Sequence, residues 1–128
     1  MNLSLEVFGD KWTLLIIRDM LLHGKKYYHE FLHSAEGIAT NILANRLAML
    51  EKEGLIAKRK DEQHKQKYIY TLTEMGIDLL PVVVEMGTWS SKYKAVNTEA
   101  KAHIRKIKAG GDEGMRSLKA ALKKEHLL

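Results

Sequence analysis

The stretch that most constrains this chain runs from residue 38 to residue 72. On a helical wheel of about 100° per residue, Leu43, Leu47 and Leu50 share one face, with Ile42 and Arg46 at its edge. Asn41, Asn45, Ala48 and Lys52 fall on the opposite face. Gly54 stands where a helix end commonly uses a left-handed residue, so the helix is bounded, and Leu55 and Ile56 restart an apolar segment. Residues 57–60 and 67–72 then read as two short strands, with Tyr68, Tyr70 and Leu72 alternating against Ile69 and Thr71. The polar tip spans residues 61–66. Lys58, Arg59, Lys60, Lys65 and Lys67 outweigh Asp61 and Glu62, which leaves this hairpin at net +3.

An amphipathic helix with an amide-bearing outer face, followed at once by a cationic hairpin, suits duplex DNA. An Asn amide donates to and accepts from one adenine edge, which makes Asn41 and Asn45 base-reading candidates. Thr40, at the helix start, fits a phosphate or a thymine methyl. Arg46 either reaches a phosphate or braces the core. Arg59, Lys60, Lys65 and Lys67 are the phosphate or minor-groove candidates of the hairpin. Lys25, Lys26 and Tyr27, in the turn before the preceding helix, would add backbone contacts that set register rather than sequence. The bland alternatives are a solvated helix face and an ordinary solvated hairpin.

Composition narrows the partners. The chain has 128 residues, formal charge +5 and no cysteine. One domain with a true core is expected, a polyanionic partner is favoured, and disulfides, thiolate metal sites and cysteine-based sensing are excluded. No apolar run approaches the roughly 18 residues that span a bilayer, and the amino terminus shows no signal-peptide pattern. The expected compartment is the cytoplasm, with no membrane partner.

Upstream, residues 3–8 form a short apolar helix candidate broken by Gly9-Asp10. Residues 11–22 form a second, with Trp12, Leu15, Ile16, Met20 and Leu22 inward, ending at Gly24. Residues 28–33 make a third, its inward residues Tyr28, Phe31 and Leu32. Downstream, Thr73 caps one long helix expected over residues 74–93, carrying Ile77, Leu80, Val84 and Trp89 and kinked at Pro81. Helices over 98–108 and 113–126 flank Gly110-Gly111, with Met115, Leu118 and Leu122 as an apolar packing or dimer stripe. From Lys92 onward ten cations face four anions, so the tail, not the hairpin, holds the larger charge excess.

This order of elements makes a mainly α winged helix-turn-helix with a small β-hairpin, over residues 1–93, followed by a basic helical extension over 94–128. The residues also resemble the HxlR-type bacterial transcription regulators, relatives of the MarR-type regulators. The likeness is carried by Phe8-Gly9-Asp10-Lys11-Trp12-Thr13-Leu14-Leu15-Ile16-Ile17-Arg18-Asp19 and by Gly37-Ile38-Ala39-Thr40-Asn41-Ile42-Leu43-Ala44-Asn45-Arg46-Leu47. Leu72-Thr73-Glu74-Met75-Gly76, Leu80-Pro81 and Trp89 complete it. The resemblance implies a homodimer whose wings and reading helices grip a palindromic operator, with the terminal helices in contact. Many members carry a cysteine near the amino terminus, and some sense oxidants with it. That property does not transfer to a chain without cysteine.

Leu3, Leu5, Phe8, Val82, Val83, Met86 and Trp89 are the expected dimer residues, because a three-helix core with a small hairpin cannot cover both faces of the long helix. Trp12, Trp89, Tyr68 and Tyr70 either pack or line a pocket for a small-molecule effector. His29-Glu30-Phe31-Leu32-His33 matches the H-E-x-x-H pattern in which two histidines hold zinc and the glutamate activates water. Here the helix is short and no third ligand is marked. The expected protein is therefore not an enzyme and holds no cofactor or metal: it is a DNA-binding regulator, a repressor by expectation. A zinc metallohydrolase and a winged helix that binds protein are the competing readings.

Overall fold

The structure is a computed structural model that describes residues 2–94 and 98–127. Its elements are α1 (Asn2–Phe8), α2 (Lys11–Leu22), α3 (Tyr28–Leu32), α4 (Thr40–Lys52), β1 (Ile56–Lys60), β2 (Tyr68–Leu72), α5 (Glu74–Ile77), α6 (Leu80–Tyr93), α7 (Thr98–Ala109) and α8 (Gly111–His126). The two strands pair antiparallel, Ile56 opposite Leu72 and Lys60 opposite Tyr68. Three short helices, the reading helix α4, a hairpin and the helices that follow it give the expected winged helix-turn-helix.

Local chemistry sets the boundaries. Asp10 caps α2, its Oδ2 accepting from the Thr13 amide at 3.1 Å and the Thr13 hydroxyl at 2.6 Å. At the end of α4, Gly54 adopts φ +86°; its amide donates to Glu51 O at 3.1 Å and the Leu55 amide to Leu50 O at 3.0 Å. That paired closure turns the chain directly into β1. The long helix expected over 74–93 is two helices, because Pro81 sits in the first turn of α6, where its missing N–H breaks no helical bond. It starts a helix rather than kinking one.

The core draws on every layer: Ile16, Ile17 and Met20 from α2, Phe31 from α3, Leu43, Leu47 and Leu50 from α4, Leu72 from β2, Ile77 from α5, Leu80 and Val84 from α6. Burial of each such side chain contributes about 1.5–3 kcal/mol. Leu122 of α8 joins this core, with Met115 and Leu118 packed against it, so the tail stripe serves internal packing. Trp12 and Leu22 are only half-buried, and β2 departs from simple alternation. Tyr68 is exposed, with Lys58 Nζ over its ring at 4.3 Å, whereas Ile69 on the other face is buried beside its cross-strand partner Arg59.

The tail folds back. α7 lies along α6, and α8 lies against α5, tied by ion pairs from Lys108 to Glu85, Lys119 to Asp78 and Lys123 to Glu74. A side chain at Gly87 would bring a Cβ to within 2.9 Å of Ile104 Cδ1, so the absence of one there permits the close α6–α7 approach.

Candidate nucleic-acid interface

A fully buried carboxylate fixes the helix-turn-helix. Asp19 accepts from Ser34 Oγ at 2.6 Å, Lys25 Nζ at 3.0 Å and Arg18 Nη2 at 2.8 Å. Burial pushes its carboxyl up, but the bonds from Ser34, Arg18 and Lys25 outweigh that and hold it below the usual range. Arg18 continues to Glu36 through Nη1 at 2.7 Å. One charge thus joins α2, the turn before α3 and the turn before α4. At the start of α4, the Tyr28 hydroxyl donates to Thr40 O at 3.0 Å.

On this frame Thr40, Asn41 and Asn45 are exposed along α4, and no side chain caps its first turn. Arg46 is turned inward: its Nε donates to Asp10 Oδ2 at 2.6 Å and its Nη1 to Asn45 Oδ1 at 2.8 Å. Of the two alternatives for Arg46, the structure places it in the bracing position, and it also fixes which way the Asn45 amide points. Lys25 is likewise committed, to Asp19 and to Ser34 Oγ at 3.1 Å. Lys26 is exposed.

Arg59, Lys60, Lys65 and Lys67 are all exposed on the wing. Sequence reasoning counted Asp61 only as a tip charge, yet it anchors this wing. Its side chain accepts from the Tyr27 hydroxyl at 2.7 Å and the Gln63 amide at 3.0 Å, and its own amide donates to Lys67 O at 3.0 Å. The Tyr27 bond holds the Asp61 carboxyl low and raises the phenol. Lys26 and Lys67 both approach the Tyr27 ring, at 5.7 and 5.6 Å. The Tyr70 amide donates to Lys26 O at 2.8 Å, so the turn before α3 pairs along the outer edge of β2. The aromatic in the Lys25-Lys26-Tyr27 turn was the one available signal of this joint.

The zinc-like pattern has other employment. Glu30 accepts from the Lys26 and Tyr27 amides at 3.0 and 2.9 Å, closing the start of α3, and Phe31 is core. His33 Nδ1 donates to His29 O at 2.6 Å. Among the described residues no group of three or more His, Cys, Asp or Glu is placed to hold a metal.

Away from this face, Leu5, Phe8, Val82, Met86, Trp89 and Tyr93 are exposed, Trp89 at 67%. Val83 is not among them. It is buried in the chain's own core at the floor of the groove described next, and Leu3 is half-buried and packs against that core. A groove of about 980 Å³ runs between α2, α6 and α7, lined by Leu14, Leu22, Val82, Met86, Trp89 and Ile104 among others. Of the four aromatics considered for an effector pocket, only Trp89 reaches it.

The HxlR-like helix-turn-helix family model matches residues 7–98. The chain belongs to this family. The uncharacterized HTH-type transcriptional regulator YdeP of Bacillus subtilis is 35% identical over 91 residues, covering 71% of this chain and 70% of YdeP. The structure of PA1607 superposes with a TM-score of 0.66 at 35% identity, over 74% of this chain and 65% of PA1607, so the match spans about two thirds of that protein. The redox regulator HypR, in its oxidized form, superposes with a TM-score of 0.64 at 29% identity over 74% and 97% of the two chains. The HxlR-type chain described here is a transcriptional regulator with a helix-turn-helix DNA-binding fold, not an enzyme. No helix among its described residues is long and apolar enough to cross a membrane.

Proposed function

We propose that this regulator binds an inverted-repeat operator as a homodimer and represses transcription from it in the cytoplasm. The observation that carries the reading is the exposed Thr40-Asn41-Asn45 face of α4, set beside a wing whose Arg59, Lys60, Lys65 and Lys67 are also exposed. Asn41 and Asn45 read bases, Thr40, Lys26 and the wing cations hold phosphates, and Arg46 and Lys25 support them from their internal ion pairs. Two-fold symmetry supplies the second half-site, with the reading helices about one turn, roughly 34 Å, apart on one face of the duplex. The partner copy occupies the exposed stripe on α1 and α6 and the groove continuous with it, since Val82, Met86 and Trp89 belong to both. A thiol-based signal is unavailable to a chain without cysteine.

Selection from a random duplex library yields the operator, and Asn41→Ala and Asn45→Ala are then compared on that site and on random DNA. Each substitution is expected to weaken operator binding by about 1–3 kcal/mol while sparing random DNA. Equal losses on both DNAs would remove base reading from this face.

A further inference from the structure

α8 ends in a histidine that closes the edge of the wing sheet. In β2 the Thr71 and Ile69 side of the ladder faces β1, while the amides of Tyr70 and Leu72 point to the open edge. Lys26 O takes the first of these, and His126 Nδ1 accepts the second at 3.0 Å, 54 residues along the chain. His126 is only 7% exposed, and its Nε2 is buried with no hydrogen-bond partner. Because Nδ1 accepts, the ring in this position is neutral and carries its proton on Nε2.

We propose that His126 is a pH-sensitive latch holding the C-terminal helix on the wing sheet. A proton added at Nδ1 turns the acceptor into a donor aimed at another donor, the Leu72 amide, and the charge arises in a buried position. The groups around the ring give little relief. Glu125 on the same helix attracts an imidazolium, whereas Lys26, from the segment paired with β2, repels it. The carboxylates at the two ends of α5, Glu74 and the C-cap Asp78, are already paired with Lys123 and Lys119 further back on α8. Burial keeps the docked ring below its ordinary value of 6.5, outweighing the upward pull of Glu125, with Lys26 adding a smaller push downward.

The sign follows from that depression of a basic group. The undocked ring binds a proton more readily than the docked one, so docking is fully favourable above the free imidazole value. It weakens about tenfold per pH unit as pH falls below 6.5, until the docked ring also titrates. The latch opens at His126 and leaves the packing of Met115, Leu118 and Leu122 on the core in place, so that it can close again.

Hydrogen exchange of the full chain, expressed as protection factors to remove the intrinsic effect of pH, tests the latch without DNA. Between pH 8 and 5.5 the Leu72 amide and the last turns of α8 should lose protection, by at most about tenfold, while α2 amides stay constant. His126→Gln offers an acceptor that does not titrate and should hold protection flat across the range; His126→Ala should lower it at every pH. The other five histidines remain in both variants, so the comparison isolates this ring. The proposal is overturned if the natural chain is as flat as His126→Gln, or if imidazole nitrogen shifts show His126 doubly protonated while α8 stays protected.

Discussion

Asp10 joins the cap of α2 to Arg46 of the reading helix, and its removal should loosen both at once. The Arg46 bond, with the two from Thr13, lowers its carboxyl from the ordinary 3.8 to about 2. At about 1.36 kcal/mol per pH unit that difference sets a ceiling of roughly 2.4 kcal/mol at neutral pH. The Asp10 side chain is 26% exposed and Arg46 30%, so solvent screening brings the working figure to about 1–2 kcal/mol. Asp10→Asn retains a capping oxygen and should lose about 1 kcal/mol. Asp10→Ala, which also removes the cap, should lose about 2 kcal/mol, or about 8 °C in Tm for a domain of this size.

Thermal unfolding at fixed protomer concentration measures these losses. A folded carboxyl value below the unfolded one gives stability that is fully present above pH 3.8 and lost as pH falls from there to about 2. The gap between the natural chain and Asp10→Asn should therefore be wide at pH 7 and nearly closed at pH 2. A cycle that adds Arg46→Ala should show about 1 kcal/mol of coupling. An undiminished gap at pH 2, or coupling below about 0.3 kcal/mol, would show that the pair does not hold α2 to α4.

Features written in neighbouring residues were legible before any coordinates. Leu43, Leu47 and Leu50 at helical spacing and Gly54 behind them specified α4 and its end, and both stand as expected. Short-range pattern failed at Pro81, because a proline disrupts the middle of a helix but fits its first turn, and here α5 ends at Ile77 and α6 starts at Leu80, which puts Pro81 in a first turn. The commitments of charged side chains were the least readable. Arg46 finds Asp10 36 residues away, Tyr27 finds Asp61 34 away, and His126 reaches β2 across 54. A helical wheel places such residues on a face but cannot show what folds against that face. Val83 illustrates the same limit: its position beside Val82 suggested a shared exposure, yet Val83 is buried in the core and Val82 is exposed.

The wing and the dimer face give two further expectations. Neutralising Arg59 or Lys65, both exposed and without an ion pair among the described residues, should weaken all duplexes alike and flatten log affinity against log salt by about one unit per lost phosphate contact; an unchanged slope would mean that the wing does not touch DNA. For assembly, Trp89→Asp is the informative change, because Trp89 is 67% exposed and a charge there leaves the protomer's own core intact, whereas a charge at buried Val83 would damage folding itself. Val82, Met86, Trp89 and Tyr93 recur at helical spacing along α6, so an aspartate among them would be desolvated without a partner in the proposed interface. Trp89→Asp should therefore keep its helical circular dichroism, shift toward monomer in light scattering and lose affinity for the full operator while half-site binding is unchanged. A natural chain that is monomeric at micromolar concentration and binds a single half-site with full affinity would rule out the two-fold arrangement.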